Sequence, residues 1–208
     1  MKNLFLFLGK LISYIIPEQI FYYLGLIQSI IYTGYLSKRF KFFGKSVIKH
    51  PFKKLLGPEY ISVGDNVTIH DSVVLTAWDN YLGNKFKPEI ILGDNSSIGG
   101  GCNISSINKI IIGNGVLLGR NITLVDNSHG KLTFEELELK PTARDLSSKG
   151  PIIIKNNVWI GDKVTVLSGV IIGENSIIGA NAVVTKNVPK NSVVVGVPAK
   201  VIKKIVKK

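Results

Sequence analysis

Residues 154–184 read IKNNVWIGDKVTVLSGVIIGENSIIGANAVV, and every sixth position from the first is aliphatic: Ile154, Ile160, Val166, Ile172, Ile178 and Val184. Ile, Leu and Val make up roughly a third of the chain, so six such hits in one phase arise by chance about once in seven hundred trials. The same spacing returns upstream in three shorter sets. They are Val63, Ile69 and Leu75; Leu92, Ile98 and Ile104; and Ile112, Leu118 and Leu124. A repeat of six marks a solenoid in which each unit is one strand and a turn, and the repeated aliphatic residue stacks into an internal column. Three hexads make one triangular turn, so fifteen hexads predict five turns. The following position is Gly at residues 64, 93, 99, 113, 119, 161, 173 and 179, which is read as a corner residue taking dihedrals closed to others.

The breaks in the pattern are as informative as the repeats. Between Leu124 and Ile154 the phase is kept, but its intermediate positions are Gly130, Glu136, Thr142 and Ser148, none of them aliphatic. The stretch from about 126 to 150 is therefore expected to leave the coil as a loop, and long loops in rigid repeats are usually functional. A smaller excursion is expected around Asp79 to Pro88. A two-residue slip separates Ile104 from Ile112.

Upstream of the repeats the chain changes character. Residues 4–36 are strongly apolar, interrupted by Lys10, Pro17 and Glu18, and the spacing of Leu4, Leu8, Leu11, Ile12 and Ile15 predicts a helical stripe. Lys10 cuts the first apolar run and no small-residue cleavage site follows it, so a signal peptide is not expected. Ile20 to Leu36 is uncharged but carries Gln28, Ser29, Thr33 and two glycines, at the lower limit for a membrane span. The chain divides into an apolar and basic helical segment, 1–56, and a coil domain, 57–208, with a basic tail.

The 208 residues include 26 Lys and Arg against 14 Asp and Glu, a net charge of +12. Residues 1–56 hold nine basic side chains and one acidic, residues 200–208 five lysines, and residues 57–199 twelve basic against thirteen acidic. A near-neutral middle argues against a nucleic-acid groove, so no nucleic-acid partner is expected. Lys38, Arg39, Lys41 and Lys45 follow the apolar helices, which suits peripheral contact with an anionic membrane leaflet. The other reading is a helical cap packed on the body or on a neighbouring subunit. One cysteine, Cys102, excludes an intramolecular disulfide and fits a cytoplasmic address. The three histidines, 50, 70 and 129, lie in unrelated contexts without metal-ligand spacing, and no metal is expected.

With these hexads, VDNSHG at 125–130, NNVWIGD at 156–162, VVTKNVP at 183–189 and VVGVPAKVIKKI at 194–205, the chain resembles the hexapeptide-repeat acyltransferases. Within them it is similar to the sugar O-acetyltransferases related to galactoside and maltose acetyltransferases and to capsule and lipopolysaccharide modifiers. The resemblance covers about residues 61–205. It implies a mainly β protein, a left-handed parallel β-helix with an N-terminal helical segment and a catalytic loop at about 126–150. The left hand comes from the resemblance alone, since right-handed crossovers are the general rule.

The resemblance implies acetyl-CoA as acyl donor and a homotrimer whose active sites lie between subunits. His129 occupies the family's catalytic position. Acetyl transfer to an alcohol needs a base of near-neutral pKa, which imidazole supplies. Asp126 is expected to orient that ring or stabilise its charge. Relatives often read Asp-His-x-His-Gly here, whereas this chain has Asn127 in place of the first histidine. Asn103 matches an acceptor-binding Asn. Trp159, Gly161 and Gly179 match positions along the cofactor cleft, and Thr185, Lys186, Lys200 and Lys203 match contacts to the cofactor's phosphate. The cleft is expected to join His129 of one chain to Trp159 and Lys186 of a neighbour.

The expected reaction is transfer of acetyl to a hydroxyl of a surface-glycan sugar or its lipid-linked precursor. N-acetylation of an amino sugar, acylation of a small non-sugar acceptor and a non-catalytic scaffold are the alternatives.

Overall fold

The computed structural model describes residues 1–131 and 133–206. Two helices, α1 (Lys2–Ser13) and α2 (Glu18–Ser37), precede a three-sided coil of parallel strands. Face A stacks strands at 42–43, 61–63, 89–92, 109–112, 152–154 and 171–172. Face B stacks 47–48, 68–69, 97–98, 117–118, 159–160, 177–178 and 192–195, and face C stacks 54–56, 74–77, 103–106, 123–125, 165–167 and 183–184. Val201 and its neighbours in Lys200–Lys204 fold back antiparallel on 192–195 and end face B.

Hexad residues meet their own kind from coil to coil. On face B, Ile69, Ile98, Leu118, Ile160, Ile178 and Val194 form one column, each in register with the next and each at most 1% exposed. Burying each such side chain is worth ~2 kcal/mol relative to exposure.

The coils number six, one more than the hexads predict. The additional coil comes first: Phe43 pairs with Val63, Ile48 with Ile69 and Leu55 with Leu75. Its inward residues are spaced by five and seven rather than six, so a strict period passes over it, and the coil begins at Phe42.

The hexad glycines are not corner residues in the sense expected. None of the eight has positive φ; the left-handed corners fall at Asn66, Asn95, Gly115, Asn157, Asn175 and Asn191, and at Ser72, Gly101, Asn121, Lys163 and Asn181. Asn reaches this region more readily than other residues with a Cβ. Its amides also ladder between coils, with Asn157 Nδ2 donating to Asn175 Oδ1 at 3.3 Å and Asn175 Nδ2 to Asn191 Oδ1 at 3.0 Å. The hexad glycines instead admit the coil next door. A Cβ on Gly161 would lie 2.8 Å from Ala180 N, and one on Gly93 2.6 Å from the carbonyl carbon of Gly113.

α2 closes the N-terminal end. The edge strand there has backbone groups with no strand beyond it, and one face of α2 supplies polar side chains in place of a ladder. Ile48 N donates to Thr33 Oγ1 at 2.9 Å, His50 N to Ser29 Oγ at 3.4 Å and Phe52 N to Tyr32 Oη at 3.4 Å. Leu36 and Phe40 complete the plug inside the first coil.

Candidate active site

Two of the three corners turn tightly, while the corner from face C to face A releases chain. The second coil leaves it at Asp79–Pro88, where strands Asn80–Tyr81 and Asn84–Lys85 pair across Leu82 and Gly83, both at positive φ. The fourth coil leaves it at 126–150, where Ser128–His129 pairs antiparallel with Leu146–Ser147 and a short helix, α3 (Phe134–Glu138), fills the interval. Both segments therefore rise on one edge, two coils apart, and they touch. Asn84 Nδ2 donates to Asp145 Oδ1 at 2.7 Å, and the Tyr81 and His129 rings meet edge to face at 5.5 Å between centroids.

Asp126 does not reach His129. It is fully buried, and its carboxylate accepts from Ser106 Oγ at 2.6 Å, Ile107 N at 2.9 Å, Asn108 N at 3.0 Å and Asn127 Nδ2 at 3.3 Å. Those donors belong to the two-residue slip of the third coil and to the start of the loop. A buried charge needs this many partners, so Asp126 fixes the corner from which the loop departs rather than orienting the imidazole. Asn127, standing where relatives have a second histidine, joins that network and also donates to Ser105 O at 3.4 Å.

The ring partner is Tyr81. Its hydroxyl lies 3.4 Å from His129 Nδ1 and 3.5 Å from the carbonyl oxygen of Thr142, to which it donates. The proton arrangement that satisfies all three groups runs Nδ1–H to Tyr81 Oη and Tyr81 O–H to Thr142 O. The lone pair is then on Nε2, and the exposed ring can accept a proton there. Such contacts are commonly long before substrate binds. The sequence carried a signal for Tyr81: Ala77 and Val125 end equivalent strands of face C, so excursions following them share an edge.

Beside a hollow of about 300 Å³ between Phe86, Ile107, Asn108 and Leu146, two more flank this edge. One, of about 270 Å³, runs along face C past Thr123, Val125, Ser128, Lys149, Leu167 and Thr185. The other, of about 310 Å³, lies between the excursions and is walled by Asn84, Lys85, Phe86, Lys131, Glu136 and Asp145. Glu136 Oε2 is buried with no hydrogen-bond partner among the described residues.

The remaining candidates divide by face. Asn103 is half-buried on face C, in register with Thr123 one coil further on. Thr185 and Lys186 continue the corner column above Val125 and Asp126, so they stand on the same edge as the His129 of their own chain. Trp159, 51% exposed, lies on face B between Leu117 and Ile177, on the side of the prism away from the loop corner. Gly161 follows it where Ala180 packs close, and Gly179 faces Val195. Lys200 and Lys203 are exposed on the last strand of face B. One chain thus keeps Trp159, Lys200 and Lys203 apart from His129.

The other two histidines are engaged elsewhere. His50 contacts Gln28 Nε2 at 3.2 Å and the edge of Tyr32, and partial burial with Lys49 nearby holds His70 below the ordinary imidazole range. Burial pushes the Cys102 thiol up to about 11, which leaves it unreactive at neutral pH.

Residues 151–186 match the bacterial transferase hexapeptide (six repeats) family. A protein of Escherichia coli K12 provisionally named as the lipopolysaccharide biosynthesis O-acetyl transferase WbbJ is 37% identical over 69% of this chain and 71% of its own length. Galactoside O-acetyltransferase of the same organism is 33% identical over 74% of this chain and 68% of its own. Among solved structures, the N-acyltransferase AntD of Bacillus cereus superposes with a TM-score of 0.67 over 84% of this chain and 88% of its own, at 21% identity, a likeness of fold alone. Six parallel coils, a matching repeat and relatives covered over more than two thirds of their length lead to one assignment: the chain belongs to the hexapeptide-repeat transferases, whose repeat implies a left-handed β-helix, and is an acyltransferase.

Proposed function

We propose that this chain transfers acetyl from acetyl-CoA to a hydroxyl of a sugar in a surface polysaccharide or its lipid-linked precursor, with His129 as general base. The observation that carries the proposal is the clasp of the two excursions. It holds an exposed imidazole by its Nδ1 side at Tyr81, on an edge where one hollow reaches Ser128 and another Lys131.

In the proposed reaction His129 Nε2 takes the proton of the acceptor hydroxyl as its oxygen bonds to the thioester carbonyl carbon. The carbon–sulfur bond then breaks, and the imidazolium returns the proton to the departing thiolate. Tyr81 accepts from Nδ1–H throughout and steadies the cation formed midway. The polar hollow with Lys85, Glu136 and Asp145 suits a hydroxyl-rich ring, whose donors and acceptors need partners of both kinds, and Phe86 offers an apolar face.

The face C groove, ending at Thr185 beside Lys186, suits the donor's extended arm and a phosphate. Trp159, Lys200 and Lys203 would join it from a neighbouring chain in a homotrimer. The names of the two Escherichia coli relatives, both O-acetyl transferases, support a hydroxyl acceptor. We read the reaction as cytoplasmic, with the lone thiol of Cys102 in support.

The test is mass spectrometry of glycans incubated with acetyl-CoA and the purified protein, beside His129→Ala. The wild type is expected to add acetyl to a sugar oxygen, and the variant to bind coenzyme A normally while losing at least about a hundredfold in turnover. Unchanged turnover in the variant overturns the mechanism. Acetyl found only on amino groups replaces the O-acetyl reading with N-acetylation.

A further inference from the structure

One face of α2 plugs the coil, and that contact accounts for little of the apolar surface in the N-terminal segment. α1 has no buried residue, and its large apolar side chains from Leu4 to Ile12 are each at least 40% exposed. On α2, Phe21, Tyr22, Tyr23, Leu24, Ile27, Ile30, Ile31 and Tyr35 are between 52% and 75% exposed. Soluble monomers rarely leave apolar patches beyond a few hundred Å² uncovered. The helices meet at 109°, and the elbow encloses an apolar hollow of about 750 Å³ lined by Phe5, Leu8, Ile12, Ile16 and Phe21. Phe21 also lines a second hollow, of about 300 Å³, with Leu26, Lys49, His50 and Asp71 on its walls.

The charge around this surface is mostly positive. Lys2 and Lys10 lie on α1, Lys38 and Arg39 follow α2, and Lys45, Lys49, Lys53 and Lys54 lie on or beside the first coil, against one acidic residue, Glu18, in the whole segment. We propose that α1 and the exposed face of α2 dock in the plane of an anionic phospholipid bilayer, apolar side chains among the acyl chains and the basic rim at the headgroups.

Three observations select this occupant. No single helix is long and apolar enough to cross a membrane, and α1 with α2 reaches that length only as a pair bent by 109°, a geometry that suits lying in the interface. A second copy of the chain would bring two basic rims together, a repulsion that anionic lipid replaces with attraction. The polar face of α2 is already bonded to the first coil, which leaves the apolar face turned from the protein body.

The experiment floats the full chain with vesicles of phosphatidylcholine alone or containing one third phosphatidylglycerol, at low and high salt. Flotation with the anionic vesicles, weakened by salt and at least about tenfold poorer with neutral ones, is expected. The double variant Leu6→Glu/Phe7→Glu touches no buried residue, so its circular dichroism should match the parent while flotation is lost. Lys38→Glu/Arg39→Glu should remove the preference for anionic lipid.

Absence of flotation, or flotation indifferent to Leu6→Glu/Phe7→Glu, overturns the proposal. So does a fall in oligomer mass in that variant, which would assign the face to a second copy. Resistance to alkaline carbonate extraction overturns the interfacial placement. Acetylation of a soluble acceptor, assayed beside each variant, should stay unchanged, which separates this proposal from the reaction above.

Discussion

Tyr81 tests the imidazole geometry at a single oxygen. Tyr81→Phe keeps the ring that packs on His129 and on Trp78 and removes the hydroxyl between Nδ1 and Thr142 O. A neutral hydrogen bond of about 1.4 kcal/mol corresponds to about a tenfold loss, expected in kcat with the KM for acetyl-CoA unchanged. Steady-state kinetics at saturating acceptor measures the split, and an equal rise in KM would assign Tyr81 to donor binding instead. His129 was singled out because the resemblance puts a catalytic histidine just after a hexad, at the mouth of the loop. Tyr81 was overlooked: 48 residues separate it from His129, and its signal lay only in the corner that the two excursions share. Asp126 shows the converse: its nearness in sequence to His129 suggested a role at the ring, but the slip at Ile107 and Asn108 leaves amides that claim its carboxylate first.

At the scale of the coil, the hexads set the spacing of the column, whereas close approach of neighbouring coils sets where glycine is required. Gly99→Ala would place a methyl against the carbonyl of Gly119, where backbone cannot yield, and should cost roughly 1–3 kcal/mol. Gly9→Ala in α1 meets nothing within 4 Å and should leave stability unchanged or slightly raised. Thermal unfolding of the two variants checks both expectations. Period alone could not separate these causes, because a glycine needed for its dihedrals and one needed for its missing Cβ look alike in sequence. It also passed over the first coil, where Phe43, Ile48 and Leu55 keep the inward register without the regular spacing.

The whole molecule raises the matter of assembly. His129 rises from the corner between faces C and A, while Trp159 sits on face B, so a cleft using both must draw on two chains. Mixing separately inactive His129→Ala and Trp159→Ala proteins after reversible dissociation should restore part of the activity, because some mixed clefts regain both native side chains. No recovery, measured as acetyl transfer against the unmixed proteins, would count against a shared cleft. The uneven charge was plain from composition, but how far α2 commits to the first coil was not. Ser29 and Thr33 look like minor interruptions of an apolar run until Ile48 and His50 are seen to need partners.

A solenoid grows by a fixed step, ~4.8 Å per rung, so the rung from which a segment departs is also an altitude. The Tyr81 excursion departs one rung, and the His129 hairpin three rungs, above the rung capped by α2. Along the coil axis, the imidazole of the proposal therefore stands between ~5 and ~14 Å beyond the rung that α2 caps, with the thickness of α2 itself between that rung and the apolar face. If both proposals hold, that stand-off is the height at which a glycan tethered to its lipid would have to present its sugars.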